Sequence, residues 1–483
     1  MKLSIPGSYL ASPTMLNKRL NLTHKNFLLS LYIITLGVLV PIAYWLINAE
    51  HQPSLGNGVQ QPIQQRISSG EKILVTANNS VAKQSGVQAF ADGDYVTALE
   101  QINTSLKSDR NDPEARIYLN NTLAAQTKDP YKIGVSVPIG GNLDVANEIL
   151  RGVAQAQEET NQAGGIDGKL VMVKIANDDN DSDKAIEIAE KFIKDKQITA
   201  VIGHNSSNVS TEVAPIYQAE ELVMITPTSS AADIPKLGEY IFRSTPSTRG
   251  LAEPLANYAV NTLGKTNIAI CFDSNSAAIT SFKDEFTYSV FNLGGKIANV
   301  PCDFAESKFL ATEIPSQVVS SGADALLLAP SLRKIDEAIA VAQANQERIP
   351  LLGSHTLNNY NLLQEGASAA KGMALAVAWN PLVEPQNKFN HNAKELWGGL
   401  VSWRTAMAYD AAQTIFAGLK VQQTRSGLQQ TLHSPDFVAE GATSSISFLP
   451  SGDRNLSGTL IEVQPGDKSG TGFDFVPLAA PQP

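Results

Sequence analysis

A chain of 483 residues with 43% hydrophobic and 17% charged residues has an ordinary globular composition and enough apolar material for roughly two to four domains. Its formal net charge of -10 excludes the basic face that neutralising phosphates requires, so no DNA or RNA partner is expected. In chain order, residues 1–26 carry Lys18, Arg19 and Lys25 and are expected on the cytoplasmic side. Phe27 to Ile47 follows as 21 residues without a charge, long enough to span a bilayer core of roughly 30 Å. Glu50 comes next and the first later cation is Arg66, so the positive-inside bias places everything downstream outside the membrane. A cleaved signal peptide is the rival reading, but Ile47-Asn48-Ala49 fits the small-residue cleavage pattern poorly. No cysteine near the segment offers a lipid attachment point. Residues 48–75, rich in Gln, Pro, Gly, Ser and Asn, are expected to form a flexible tether.

Residues 76–128 read as helices. Gly86, Phe90, Gly93, Asp94, Tyr95, Ala98 and Leu99 resemble a tetratricopeptide repeat, and Pro113 opens a further helix from Glu114 to Ala125. The repeat motif would put that proline about three residues earlier, so the likeness is partial. A lone repeat cannot bury its own apolar face, which leaves a short helical stalk packed on the next domain or a docking surface for a partner.

From Tyr131 onward, short apolar strands alternate with amphipathic helices: Lys132 to Val137, Lys169 to Ala176, Ile198 to Gly203 and Leu222 to Thr226. That alternation implies right-handed crossovers and a parallel sheet covered on both faces, with ligands bound beyond the strand C-termini. The pattern resumes with Asn267 to Phe272, Lys296 to Val300, Ala323 to Ala329 and Ile349 to Gly353, separated by helices such as Arg333 to Gln346. A late helix, Trp403 to Lys420, carries Met407, Ala411, Ile415 and Leu419 on one stripe, and Gly441 to Val463 reads as small strands. From Gln464 the composition is that of a disordered tail, 466–483. Cys271 and Cys302, at the ends of neighbouring strands, are either bridged or two buried thiols.

Pro138-Ile139-Gly140-Gly141, Asn161-Gln162-Ala163-Gly164-Gly165-Ile166-Asp167-Gly168, Asp178-Asp179, Val201-Ile202-Gly203-His204 and Leu222 to Pro227 resemble the branched-chain amino-acid type of ABC-transporter solute-binding protein. The likeness continues more thinly through Tyr409-Asp410-Ala411 and Ile446-Ser447-Phe448. It implies an α/β fold of two doubly wound parallel-sheet lobes joined by a multi-strand hinge, over 129–465. Lobe 1 would cover about 131–242 plus a late return, and lobe 2 about 245–378. It also implies a small polar, amino-acid-like ligand, and permease and ATPase subunits on other chains, since this one has no phosphate-binding loop.

Candidate ligand residues cluster at two strand ends, Ser206 and Ser207, then Thr228, Ser229 and Ser230. A helix N-terminus lined with hydroxyls can hold a carboxylate or amide oxygen without a cation. The resemblance assigns the α-carboxylate to Ser207, Thr228 and Ser230. On the second lobe the family places an acid against the ligand ammonium, and the matching position here is His355. Asp273, in Asp273-Ser274-Asn275-Ser276 where aromatics are expected, is the best substitute acid. A neutral imidazole supplies no countercharge to a buried ammonium, so leucine and valine are expected to bind weakly and a polar amide, carboxylate or polar amino acid better. The acidic run from Asn177 to Asp183 fails as an EF-hand because Lys184 replaces the turn glycine; acids ahead of a helix suit its dipole instead. His204 reads as structural. No HExxH, CxxC, GxSxG or GxxxxGK[ST] motif occurs, so neither catalysis, a metal nor a cofactor is expected. The competing reading is a membrane-anchored sensor that signals through the helical segment.

Overall fold

The computed structural model describes residues 62–478 apart from Asn78; residues 1–26, the anchor expected at Phe27 to Ile47, the stretch 48–61 and residues 479–483 lie outside the described residues. Among the described residues no helix is long and apolar enough to cross a membrane.

The chain opens with strand β1 (Ile67–Ser68), helices α1 (Val81–Ala91), α2 (Tyr95–Ser108) and α3 (Pro113–Ala125), and strand β2 (Tyr131–Val137). Alternation then gives α4 (Leu143–Gln162), β3 (Val171–Asn177), α5 (Ser182–Lys194), β4 (Ile198–Ile202), α6 (Ser207–Ala219), β5 (Val223–Thr226) and β6 (Ile241–Arg243). These strands form one sheet in the order β1-β3-β2-β4-β5-β6, parallel except for β1. Ile133, Val135, Val173, Ile202 and Ile225 are fully buried, as expected of strands covered on both faces. The second lobe holds α7 (Thr248–Asn257), β7 (Asn267–Phe272), α8 (Ala277–Asn292), β8 (Lys296–Ile297), α9 (Ile314–Ser320), β9 (Ala325–Ala329), α10 (Ile335–Asn345), β10 (Leu351–Gly353) and β11 (Ala374–Val377). The chain then returns through α11 (Lys388–Trp397), α12 (Trp403–Val421) and α13 (Arg425–Leu432) to pack on the first lobe. After the small pair β12 (Ala439–Gly441) and β13 (Ser444–Ile446), it crosses again to β14 (Thr459–Pro465) and β15 (Phe473–Pro477). The second sheet reads β15-β14-β11-β10-β9-β7-β8, with β14 and β15 antiparallel on its edge.

Two expectations are corrected. The tether expected over 48–75 is structured from residue 62: β1 adds to the β3 edge, Arg66 pairs with Asp179 at 2.7 Å, and Val75 is buried. Composition hid this, because an edge strand offers backbone hydrogen bonds that any short segment can take. The tail expected over 466–483 is hairpin strand β15 through Pro477, tied by Asp474 Oδ1 accepting from the Ser469 amide at 2.7 Å. The helical segment packs on lobe 1, the first of the two readings that its sequence left open. Val87, Ile102, Ile117 and Tyr118 share one core with Ile133 and Leu150. The Asn121 amide donates to the Val173 carbonyl and accepts from the Val173 amide, at 2.7 and 2.8 Å, locking α3 onto β3. The partner that a lone repeat lacks is lobe 1 itself.

The late return lets α12 lie against α4, and Gly152 makes that approach possible: a Cβ there would run into the Thr405 carbonyl and the Tyr409 amide. Three crossings join the lobes, after β6, after β11 and between β13 and β14. Buried Arg243 is pinned there by Asp453 and by the Ala231 carbonyl at 2.7 Å. Cys271 and Cys302 are bridged, with Cα atoms 4.6 Å apart, tying the end of β7 to the strand-following loop.

Candidate functional site

The C-terminal ends of both sheets face a cleft of about 540 Å³. On lobe 1, Ser206 caps α6 by accepting from the Val209 amide at 3.3 Å, which leaves backbone donors of the first helical turn opening at that edge. Ser207 and Thr228 also line the cleft, but their hydroxyls already serve the protein. Ser207 Oγ accepts from the Ala231 amide at 3.2 Å, and Thr228 Oγ1 donates to the Asn205 carbonyl at 2.7 Å. They shape the cradle, and the backbone supplies much of its donor capacity.

Ser229 and Ser230 do not border the cleft, contrary to expectation. Thr226 Oγ1 accepts the Ser229 amide at 3.1 Å and folds the loop back, so Ser229 Oγ meets Ser210 Oγ at 2.8 Å. Ser230 Oγ is buried without a partner among the described residues, and the Ser230 carbonyl accepts from the Thr248 amide at 2.9 Å. A run of hydroxyls in sequence does not say which of them the turn points outward.

On lobe 2, Asp273 is 4% exposed and borders the cleft, with Oδ1 accepting from the Asn275 amide at 3.1 Å. Ser276 caps α8 by accepting from the Ile279 amide at 3.4 Å, so a second strand-to-helix junction faces the first. The lobes touch there: the Ala277 amide donates to Asn208 Oδ1 at 3.1 Å, and the Ala232 amide to Ser281 Oγ at 3.0 Å. His355 sits in the turn after β10, held by Thr356 Oγ1 donating to the Pro330 carbonyl at 2.7 Å. Its ring is 5.9 Å from that of Trp403, and its Nδ1 is buried without a partner among the described residues. Burial first, and then the Arg404 guanidinium, push its pKa down to about 3, so the imidazole is neutral at pH 7.

Sequence reasoning missed Trp403 and Arg404, which also border the cleft. Arg404 lies 4.6 Å over the Trp403 ring and donates to Glu148 Oε2 at 3.1 Å. The start of α12 was read only for its apolar stripe; Ser402, its N-cap, was the signal that a helix begins at the cleft edge. Lys334 borders the cleft as well, its ammonium held above the usual range by a hydrogen bond to Glu337, with the charges of Asp273 and Asp303 adding.

His204 lies away from the cleft, with Nδ1 2.6 Å from Asp178 and Nε2 3.2 Å from the Tyr217 hydroxyl. Three carboxylates of the 177–183 run have protein partners: Asp178 takes the Ser136 hydroxyl, Asp179 pairs with Arg66 and Lys184, and Asp181 caps α5. Among the described residues no His, Cys, Asp and Glu group has the geometry to hold a metal.

The family described as periplasmic binding protein matches residues 130–458, which takes in both lobes and the cleft. The chain belongs to this family. Among binding proteins of known sequence it is 26% identical over 356 residues to Leu/Ile/Val-binding protein homolog 3 of Brucella melitensis, covering 71% of this chain and 90% of that one. It is also 26% identical over 300 residues to the Leu/Ile/Val-binding protein BraC3 of Rhizobium johnstonii, covering 60% and 78%. Among solved structures, an ABC transporter substrate-binding protein from Desulfitobacterium hafniense in complex with Leu matches with a TM-score of 0.61 and 23% identity, covering 72% of this chain and 100% of that one. A solute-binding protein from Rhodopseudomonas palustris in complex with p-hydroxybenzoic acid matches with a TM-score of 0.63 and 17% identity, covering 72% and 96%. Both structural likenesses concern the two-lobed fold.

Proposed function

We propose that this chain is the extracytoplasmic solute-binding subunit of an ABC importer, taking a small polar or amino-acid-like ligand by closure of its two lobes. The observation that carries the reading is a polar cleft at the ends of both sheets, bordered by two capped helix N-termini and spanned by the Asn208 to Ala277 bond. Relatives named for leucine, isoleucine and valine support an amino-acid-like ligand, while neutral His355 in place of an acid argues against a simple aliphatic one. In this reading Ser206, Ser207 and Thr228 frame the carboxylate subsite and Asp273 is the acid available to an ammonium. Ligand contacts on both lobes favour the closed form, and closure is what a permease can read. Permease and ATPase are separate chains, and Phe27 to Ile47 anchors this one to the outer face of a bacterial cytoplasmic membrane. A second reading, a sensor, draws on the packing of α1 to α3 on lobe 1, which would carry lobe movement into the helices. Titration calorimetry with an amino-acid panel, paired with small-angle scattering, tests the proposal. Saturable binding accompanied by compaction is expected; no binding by any amino acid, amide or carboxylate would overturn it. Stimulation of a co-reconstituted permease and ATPase separates importer from sensor.

A further inference from the structure

Beneath the cleft, three nitrogen groups are buried with little of their hydrogen-bonding capacity used by the protein. Trp403 is 3% exposed, and its Nε1–H has no acceptor among the described residues. His355 is 5% exposed, and its Nδ1 has no partner among the described residues. Arg404 is 3% exposed, stacked on the Trp403 ring, and its side chain makes one ion pair, from Nη1 to Glu148 at 3.1 Å. A buried donor left unpaired costs roughly 1–3 kcal/mol, so the Trp403 indole and the His355 ring, beside the Arg404–Glu148 pair, describe a shape that something else completes.

The chemistry of the missing group follows from what these nitrogens can do. An indole N–H and a guanidinium only donate, and a neutral imidazole can donate from Nδ1. The complement is therefore an oxygen acceptor, and the guanidinium beside it favours one that carries negative charge. A leucine or valine side chain placed here would seal the Trp403 and His355 nitrogens without a partner and leave Arg404 with Glu148 alone. An amide would supply one acceptor oxygen but bring two donors of its own against an all-donor wall. A carboxylate fits on every count. The backbone donors of α6, capped by Ser206 on lobe 1, belong to a different element and offer a second place for a carboxylate.

We propose that the ligand of this cleft is a small dicarboxylate, one carboxylate at the N-terminus of α6 and the other received by Arg404, Trp403 and His355. An acidic amino acid and an amine-free dicarboxylate share this chemistry, and the experiment separates them. The inference rests on the reading that the cleft binds the ligand.

The test is titration calorimetry on the full-length chain in mild detergent with L-glutamate, glutarate, L-glutamine and L-leucine. At least one dicarboxylate should bind tenfold or more tightly than both glutamine and leucine; glutamate over glutarate would assign Asp273 to an ammonium, the reverse an amine-free ligand. Trp403→Phe removes a single N–H while keeping a ring, and should weaken dicarboxylate binding about fivefold to tenfold, with leucine affected less than twofold. Arg404→Gln should weaken it about a hundredfold. If Arg404→Gln fails to fold by circular dichroism, Trp403→Phe carries the test alone. Leucine or glutamine binding as tightly as both dicarboxylates would overturn this inference while leaving the solute-binding proposal standing. So would dicarboxylate binding indifferent to Trp403→Phe. Absence of binding by all four would overturn this inference, and the solute-binding reading too if no other amino acid, amide or carboxylate bound.

Discussion

Removing the Glu114 carboxylate should cost about 3–5 kcal/mol, because that one group holds three segments together. Its side chain is fully buried and accepts from the Leu74 amide at 2.7 Å, the Val75 amide at 3.2 Å and the Tyr118 hydroxyl at 3.0 Å. It also faces the Lys83 ammonium at 2.8 Å, which Asp112 meets at 2.6 Å. Burial alone would lower the Lys83 pKa, but Glu114 and Asp112 together more than offset it, and Lys83 is held above its usual value. Glu114→Ala leaves a fully buried ammonium with one counterion and two backbone amides without acceptors. Breaking a buried pair from one side typically costs about 3–5 kcal/mol, a large share of a total stability of about 5–15. Glu114→Gln keeps an oxygen for the amides and should lose roughly half as much. Adding Lys83→Met to Glu114→Ala should restore about 1–2 kcal/mol, since the stranded charge goes with it. Urea unfolding of the chain from residue 62, with binding followed in parallel, measures these differences. A loss below about 1 kcal/mol for Glu114→Ala, or no recovery in the double variant, would refute the claim that α1 to α3 are built into lobe 1.

The pH dependence of stability should carry a His355 component. The imidazole is neutral in the folded protein down to about pH 3 but gains a proton near pH 6.5 when unfolded, so its contribution is complete above 6.5 and declines as pH falls toward 3. The slope is at most about 1.4 kcal/mol per pH unit, and His355→Asn should flatten the pH 4–6.5 unfolding profile by that amount; an unchanged profile would mean the ring charges freely. Gly152→Val should destabilise by more than about 2 kcal/mol, because the added side chain meets Thr405 and Tyr409 backbone across the α4–α12 contact, and a calorimetric Tm within 2 °C of the parent would contradict it. Asn208→Ala should weaken ligand binding about fivefold and raise the unliganded radius of gyration, since it deletes the acceptor for the Ala277 amide; scattering identical to wild type would exclude a role in closure. Reducing the Cys271–Cys302 bridge, which closes a separation of 31 residues, should cost about 3–4 kcal/mol, read as the Tm difference with and without reductant.

Much of the fold was legible because its signals are local. Asn267 to Phe272 was read with the bounds it has, and β2, β3, β4 and β5 were placed within two residues, since each is a short apolar run between capped helices. What stayed hidden depends on distant partners. β1 forms only because the β3 edge is there to pair with, and β14 joins sheet 2 although it follows a segment attached to lobe 1. The same division runs through the cleft. Ser206 could be read from its place between strand and helix, and Ser229 was misread because Thr226, three residues earlier, decides which way it turns. Trp403 and Arg404 carry no motif at all; they face the cleft because the chain leaves lobe 2 and starts α12 there. Neutral His355 gives no countercharge where the resembling family puts an acid, yet next to Arg404 the loss of that acid removes a competitor for the guanidinium. A carboxylate at position 355 would pair with Arg404 and close off the donors; an uncharged ring leaves that guanidinium with Glu148 as its ion-pair partner and its stacked face against Trp403. On the dicarboxylate proposal, the departure from the family at one residue and the buried arginine at another act together, and their combined electrostatics would favour anionic ligands over ammonium-bearing aliphatic ones.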